Sequence, residues 1–220
     1  MELLKLKSLR TSSLLEFKMK CILQGTLVVM LLTSFGCKNH PPVDPRLNLI
    51  SYSQYMNVID EFTDRHQVFS GLENTVDLHG TIINSKVALS QLGYKAKIYF
   101  WEKEKYDQEL KKVETDLKKQ VQVFVSFYSP ERRHNELIKS KDLWKIFLDV
   151  NGKRYESLKP VKIKQLVSEI QGMYHYHTRF STPYILTFPV SSYEIEKFPS
   201  KLTVTGPVAS ASIDFPALAQ

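Results

Sequence analysis

His175 and His177 flank Tyr176, and on an extended strand residues two apart point to one face, so their imidazoles could grip one metal ion. His79 or Asp77 would then have to supply a further ligand from elsewhere in the chain. The plainer reading is a polar, solvent-facing pair on a loop or strand edge. A second constellation, Asp64-Arg65-His66 with Glu73 and Asp77 downstream, holds the groups of general acid–base chemistry. Such work needs positioned groups of tuned pKa in a pocket, and nearness in sequence supplies neither. The pattern reads instead as Arg65 paired with a neighbouring carboxylate and His66 capping a helix end. The eight glycines form no G-x-G or G-K-[ST] phosphate loop and no G-x-S-x-G elbow, so neither a cofactor nor a familiar enzyme is expected.

Lys111, Lys112, Lys118 and Lys119 form a basic stretch that could meet the phosphates of phospholipid or lipopolysaccharide headgroups. Glu109, Glu114 and Asp116 lie among them, and the plainer reading is a solvated, balanced helix face. The whole chain carries a net charge of +7. That is too mild and too dispersed for a dedicated nucleic-acid binder, and no nucleic-acid partner is expected.

The amino-terminal segment decides the cysteine chemistry. Lys18 and Lys20 precede an apolar run over 26–32, and Thr33-Ser34-Phe35-Gly36 leads into Cys37, the layout of a secretory signal. The span 21–37 contains Gln24 and is too short and too polar for a comfortable transmembrane helix. The segment resembles the lipobox of bacterial lipoproteins. That resemblance implies cleavage after Gly36 and lipidation of Cys37 as the mature N-terminus. An ordinary cleaved signal and an uncleaved anchor are the alternatives. Residues 1–18 are long for a positive leader, which suggests Met19 as the true initiator. Loss of 1–36 removes five of the 30 Lys/Arg and two of the 23 Asp/Glu, so the net charge falls from +7 to +4. It also removes Cys21, leaving Cys37 alone and the mature domain without an internal disulfide. The core must therefore supply the stability. Lys38 stands where aspartate would signal inner-membrane retention, so the resemblance further implies an outer-membrane anchor facing the periplasm.

Three prolines in 38–46 make a stiff, extended tether, and 37–50 is read as lipidated cysteine plus tether. From Ser51 the spacing of Tyr52, Tyr55, Met56, Ile59 and Phe62 predicts a helix, capped by Ser51 or Ser53 and followed by Gly71. A strand is predicted over 75–84. Leu89, Leu92, Ala96, Tyr99, Tyr106, Leu110, Val113 and Leu117 then keep a 3–4 spacing. One long helix of roughly 30 residues is expected there, about 45 Å in length, lying across a sheet face or pairing with a second copy. Gly93 is the point at which it would bend or split, and Asp107–Lys111 and Glu114–Lys118 are its expected ion pairs.

Beyond Gln120 the period becomes two. Strands are predicted at 121–127, 144–150, 153–158, 183–190, 201–206 and 208–215, with Asn151-Gly152 as a type I′ hairpin turn. The expected fold is α+β. It is an antiparallel immunoglobulin-like β-sandwich over 51–220, with an N-terminal helix and a long inserted helix.

The phrases FTDRHQVFSGLENTVDLHGTIINS (62–85), FVSFYSP (124–130), DLWKIFLDVNGKRYESL (142–158), TPYILTFPV (182–190) and KLTVTGPVASASIDF (201–215) resemble a family of uncharacterised Gram-negative lipoproteins. The resemblance implies an envelope lipoprotein and attaches no reaction to it. The expected function is a lipid-anchored structural or interaction module, meeting another envelope protein by strand addition or helix packing. The alternative is a ligand-binding protein or novel enzyme with a cleft between the long helix and the sandwich.

Overall fold

The computed structural model describes residues 47–131, 134–138 and 143–218, all within one compact unit, Asp44–Gln220. The leader, Gly36, Cys37 and the tether up to Arg46 lie outside the described residues.

Ser51 starts helix α1 (Tyr52–Glu61). Its hydroxyl accepts the Gln54 N–H at 3.2 Å, and the Gln54 side chain accepts the Ser51 N–H at 2.8 Å, a capping box. Of the predicted stripe, Tyr55, Met56, Ile59 and Phe62 are buried, while Tyr52 in the first turn is exposed. Gly71 does not close this helix. The chain becomes extended at Thr63 and forms β1 (Thr63–Ser70), and Gly71, at φ +62°, turns it into β2 (Glu73–Ile83).

The single long helix is instead two, α2 (Ser85–Ile98) and α3 (Lys103–Lys119). The break falls at Phe100. There the Phe100 N–H reaches Lys97 O at 3.4 Å, the Trp101 N–H reaches Ala96 O at 2.9 Å, and Phe100 is left-handed at φ +50°. This is a Schellman stop with phenylalanine at the position glycine usually takes. Gly93 has a different task. A Cβ there would stand 2.2 Å from the Asn48 carbonyl oxygen, so only glycine lets the incoming chain lie against α2.

Most of the heptad stripe is spent inside the molecule, with Leu89 and Tyr99 left exposed. Leu47, Leu92, Ala96 and Tyr106 form a cluster, with Trp101, Leu110 and Val113 packed against it. On α3 the ion pairs run Lys103–Asp107, Lys105–Glu109 and Lys112–Glu109, in place of the Asp107–Lys111 and Glu114–Lys118 pairs expected.

The later strands fall where alternation and turn residues put them. They are β3 (Val121–Tyr128), β4 (Lys145–Val150), β5 (Lys153–Glu156), the two-residue β6 (Val161–Lys162), β7 (Thr182–Phe188), β8 (Ser200–Thr205) and β9 (Ser210–Phe215). Neither β6 nor the short helices α4 (Val167–Met173) and α5 (Ser192–Ile195) carries a sequence pattern that predicted it. Asn151 and Gly152, at φ +47° and +73°, make the type I′ turn between β4 and β5.

Two antiparallel sheets result, ordered β1-β2-β3-β7-β6 and β5-β4-β8-β9, so the fold is α+β. Val123, Val125 and Phe127 of β3 share one buried cluster with Leu148, Leu202, Val204 and Ile213 of the second sheet. Burial of each such side chain contributes about 1.5–3 kcal/mol. The other face of the five-stranded sheet carries Ile83, Gln122, Phe124 and Ile185 in neighbouring register, and it lies under α2 and α4.

Candidate functional site

Between α2, α4 and that sheet face runs a cleft of about 540 Å³, within the usual range for a small-molecule site. Its floor is the pair Phe124 and Tyr174, whose rings stack 3.7 Å apart and 1° from parallel. The Gln91 side-chain N–H donates to the Tyr174 hydroxyl at 3.3 Å, and Gln122 lines the cleft from β3. Tyr94, Ile98 and Tyr99 form the α2 wall. The lining mixes apolar and aromatic side chains with three amides, Gln91, Gln122 and Gln165, and with Ser168, Lys95 and Glu169.

Lys95 supplies the charge. It lines the same cleft, partly buried, and makes no ion pair among the described residues. Burial lowers its pKa, and the Glu109 carboxylate partly opposes that shift. Glu109 does not neutralise it by contact. Lys105 and Lys112 hold that carboxylate at 2.6 and 2.8 Å, and their hydrogen bonds bring its pKa down to about 2. The other acid of the cleft, Glu169, accepts the Leu166 N–H at 3.2 Å in a helix cap. The cleft therefore holds the Lys95 ammonium and the Glu169 carboxylate beside Tyr94 and Tyr99.

The histidines do not assemble. Residues 174–181 form turns rather than a strand, so His175 and His177 do not share a face. The His175 side chain points outward, its Nε2 3.5 Å from Asp60 Oδ1. His177 is 1% exposed and contacts the Ser126 hydroxyl through Nδ1 at 2.8 Å. His79 stacks on Tyr176, ring centroids 3.8 Å apart, and burial first, then Arg65, brings its pKa down to about 4. Among the described residues no three His, Cys, Asp or Glu side chains are grouped to hold a metal ion. The candidate His175–His177–His79 grouping does not form, and the plainer reading of a solvent-facing pair holds for His175 but not for the buried His177. Ser126 and His177 resemble a nucleophile and its base, but with Ser126 only 3% exposed a substrate has no approach.

The Asp64–Asp77 constellation is structural. Arg65 grips Asp77 through Nε at 3.0 Å and through Nη2, as its neighbouring carboxylates suggested. His66 caps no helix. Its Nδ1 lies 2.7 Å from the Ser212 carbonyl oxygen, and Asp64 accepts the Asp214 N–H at 2.8 Å. Both side chains thus cover backbone groups along β9. Lys111, Lys112, Lys118 and Lys119 are all exposed on α3, with Lys112 drawn to Glu109.

Sequence reasoning passed over Gln91, Lys95, Gln122 and Tyr174. One signal was available. The residues three and four positions from Lys95 are Gln91, Leu92, Ile98 and Tyr99, so this lysine has no acid within helical reach. No helix among the described residues is long and apolar enough to cross a membrane. No protein-family model, curated protein or solved structure matches the chain.

Proposed function

We propose that this domain is a non-catalytic binding module, held at the bacterial cell envelope by a lipid on Cys37, and that its ligand is a small amphiphile with an acidic head. The head pairs with Lys95, and the apolar body lies along Tyr94, Ile98 and Met173, above the buried Phe124–Tyr174 pair. The observation that carries this reading is the cleft itself, an open seam between helices and sheet in which Lys95 makes no ion pair among the described residues. An ammonium in a partly desolvated pocket favours a carboxylate or phosphate far more than it would in water.

Strand addition has less to work with. Asp64 and His66 cover β9, while β5 offers four residues rich in charge and β6 only two. The helix stripe from Tyr106 to Leu117 packs internally, leaving little for a helix-paired dimer. We read the two sheets as an immunoglobulin-like sandwich, supported by their antiparallel pairing and shared core.

Titration of the full chain with dansylated undecanoic acid and with its methyl ester tests the proposal. The acid is expected to bind about tenfold more tightly than the ester, and Lys95→Ala is expected to erase that preference. Equal affinity of acid and ester for the wild-type protein would refute it.

A further inference from the structure

The cleft holds two charges of opposite sign that do not meet. Lys95 lines it from α2 and Glu169 from α4, and neither makes an ion pair with the other or with any other described residue. Elsewhere the helices close such charges directly. Lys86 meets Glu61 at 2.6 Å, and Lys105 and Lys112 meet Glu109 at 2.6 and 2.8 Å. Glu169 is exposed, and only one of its oxygens is engaged. Oε2 accepts the Leu166 N–H at 3.2 Å, which leaves Oε1 without a hydrogen bond among the described residues. There is room beside it. Gly172, three positions on and in the same cleft lining, would carry a Cβ that meets nothing within 4 Å.

We propose that the head of the bound amphiphile is zwitterionic: a phosphate seated at Lys95, joined by a short linker to an ammonium seated at Glu169. This head assignment rests on the ligand reading given above. A purely anionic head is attracted by Lys95 and repelled by Glu169, whereas a zwitterion is attracted by both. The phosphate brings several acceptor oxygens to the Lys95 ammonium, and an alkylammonium brings donors to the unengaged Oε1. The two contacts differ in weight. Lys95 is partly buried, so its pairing with phosphate is shielded from water. Glu169 is exposed, so water and salt screen its share, and the preference it creates is a few-fold.

Titration calorimetry of the full chain with lauroyl lysophosphatidylethanolamine and lauroyl lysophosphatidylglycerol, both below their micelle concentrations, tests the proposal. The two lipids share acyl chain and phosphate and differ in the ammonium. The ethanolamine lipid is expected to bind about threefold more tightly. Glu169→Gln keeps an acceptor for the Leu166 N–H while removing the charge, and it is expected to bring the two affinities level. Lys95→Ala is expected to weaken both lipids, and melting curves show whether each variant is folded. Free O-phosphoethanolamine is expected to bind at least about tenfold more weakly than its lipid.

A glycerol lipid that binds wild type as tightly as the ethanolamine lipid would overturn the proposal. So would a preference for ethanolamine that survives Glu169→Gln. Equal affinity for free O-phosphoethanolamine would overturn the lipid assignment and leave the free zwitterion as the ligand. Dansylated undecanoic acid and its methyl ester are titrated alongside. If the acid is preferred to the ester while neither lysolipid binds, the zwitterionic head is refuted and the acidic amphiphile stands. If none of the probes binds, both fall.

Discussion

Single residues here are read best by what they lack. Lys95 lacks an acid within helical reach, and its environment makes it the cation of a cleft. His79 lacks the ligand partners that would have made it metal-binding, and it is held neutral between Tyr176 and the sheet. Its titration has a consequence for stability. The ordinary value near 6.5 falls to about 4 in the folded chain. Between those two values the unfolded chain binds a proton that the folded chain refuses, so stability falls as pH drops through that window. His177, lowered in the same direction by burial, adds to the loss. The melting temperature is expected to fall between about pH 7 and about pH 5, and His79→Phe, which keeps a ring on Tyr176, is expected to flatten that fall. An unchanged slope in the variant would show that His79 is not responsible.

At the scale of elements, legibility followed the kind of signal involved. Ser51 as one of two candidate caps, the Tyr55–Phe62 stripe and Asn151-Gly152 each encode their structure locally, and each forms as read. β1 was missed because it is mostly polar, and its partner strand, not its own alternation, holds it extended. The helix break at Phe100 was missed because nothing local marks it. Glycine, the usual sign of a Schellman stop, is absent there, and the one glycine nearby serves the Asn48 contact. Phe100→Gly tests the stop itself. Relief of the left-handed strain is expected to stabilise the protein by about 1 kcal/mol, seen as a higher melting temperature. A lower melting temperature would mean that the phenyl ring is needed for the fold.

At the scale of the molecule, the cleft was out of reach of one-dimensional reading. Gln122 and Ser126 alternate with valines, and alternation assigns them to water. They lie instead on the face of a central sheet that is covered by helices and by the turns after Tyr174, and its polar residues line the cleft or bond to buried groups. Which side of a strand is truly outside depends on what the rest of the chain lays over it, and here that cover comes from segments some fifty residues away, as Ser126 and His177 show. The measurement that tests the proposed role of the cleft most directly is photo-crosslinking of the full chain with a diazirine-bearing long-chain fatty acid, followed by peptide mapping. Crosslinks concentrated on peptides covering 91–99 and 168–174, and reduced by Lys95→Ala, are the predicted result. Crosslinks confined to the Phe69–Leu72 hairpin, or spread evenly over the surface, would contradict it.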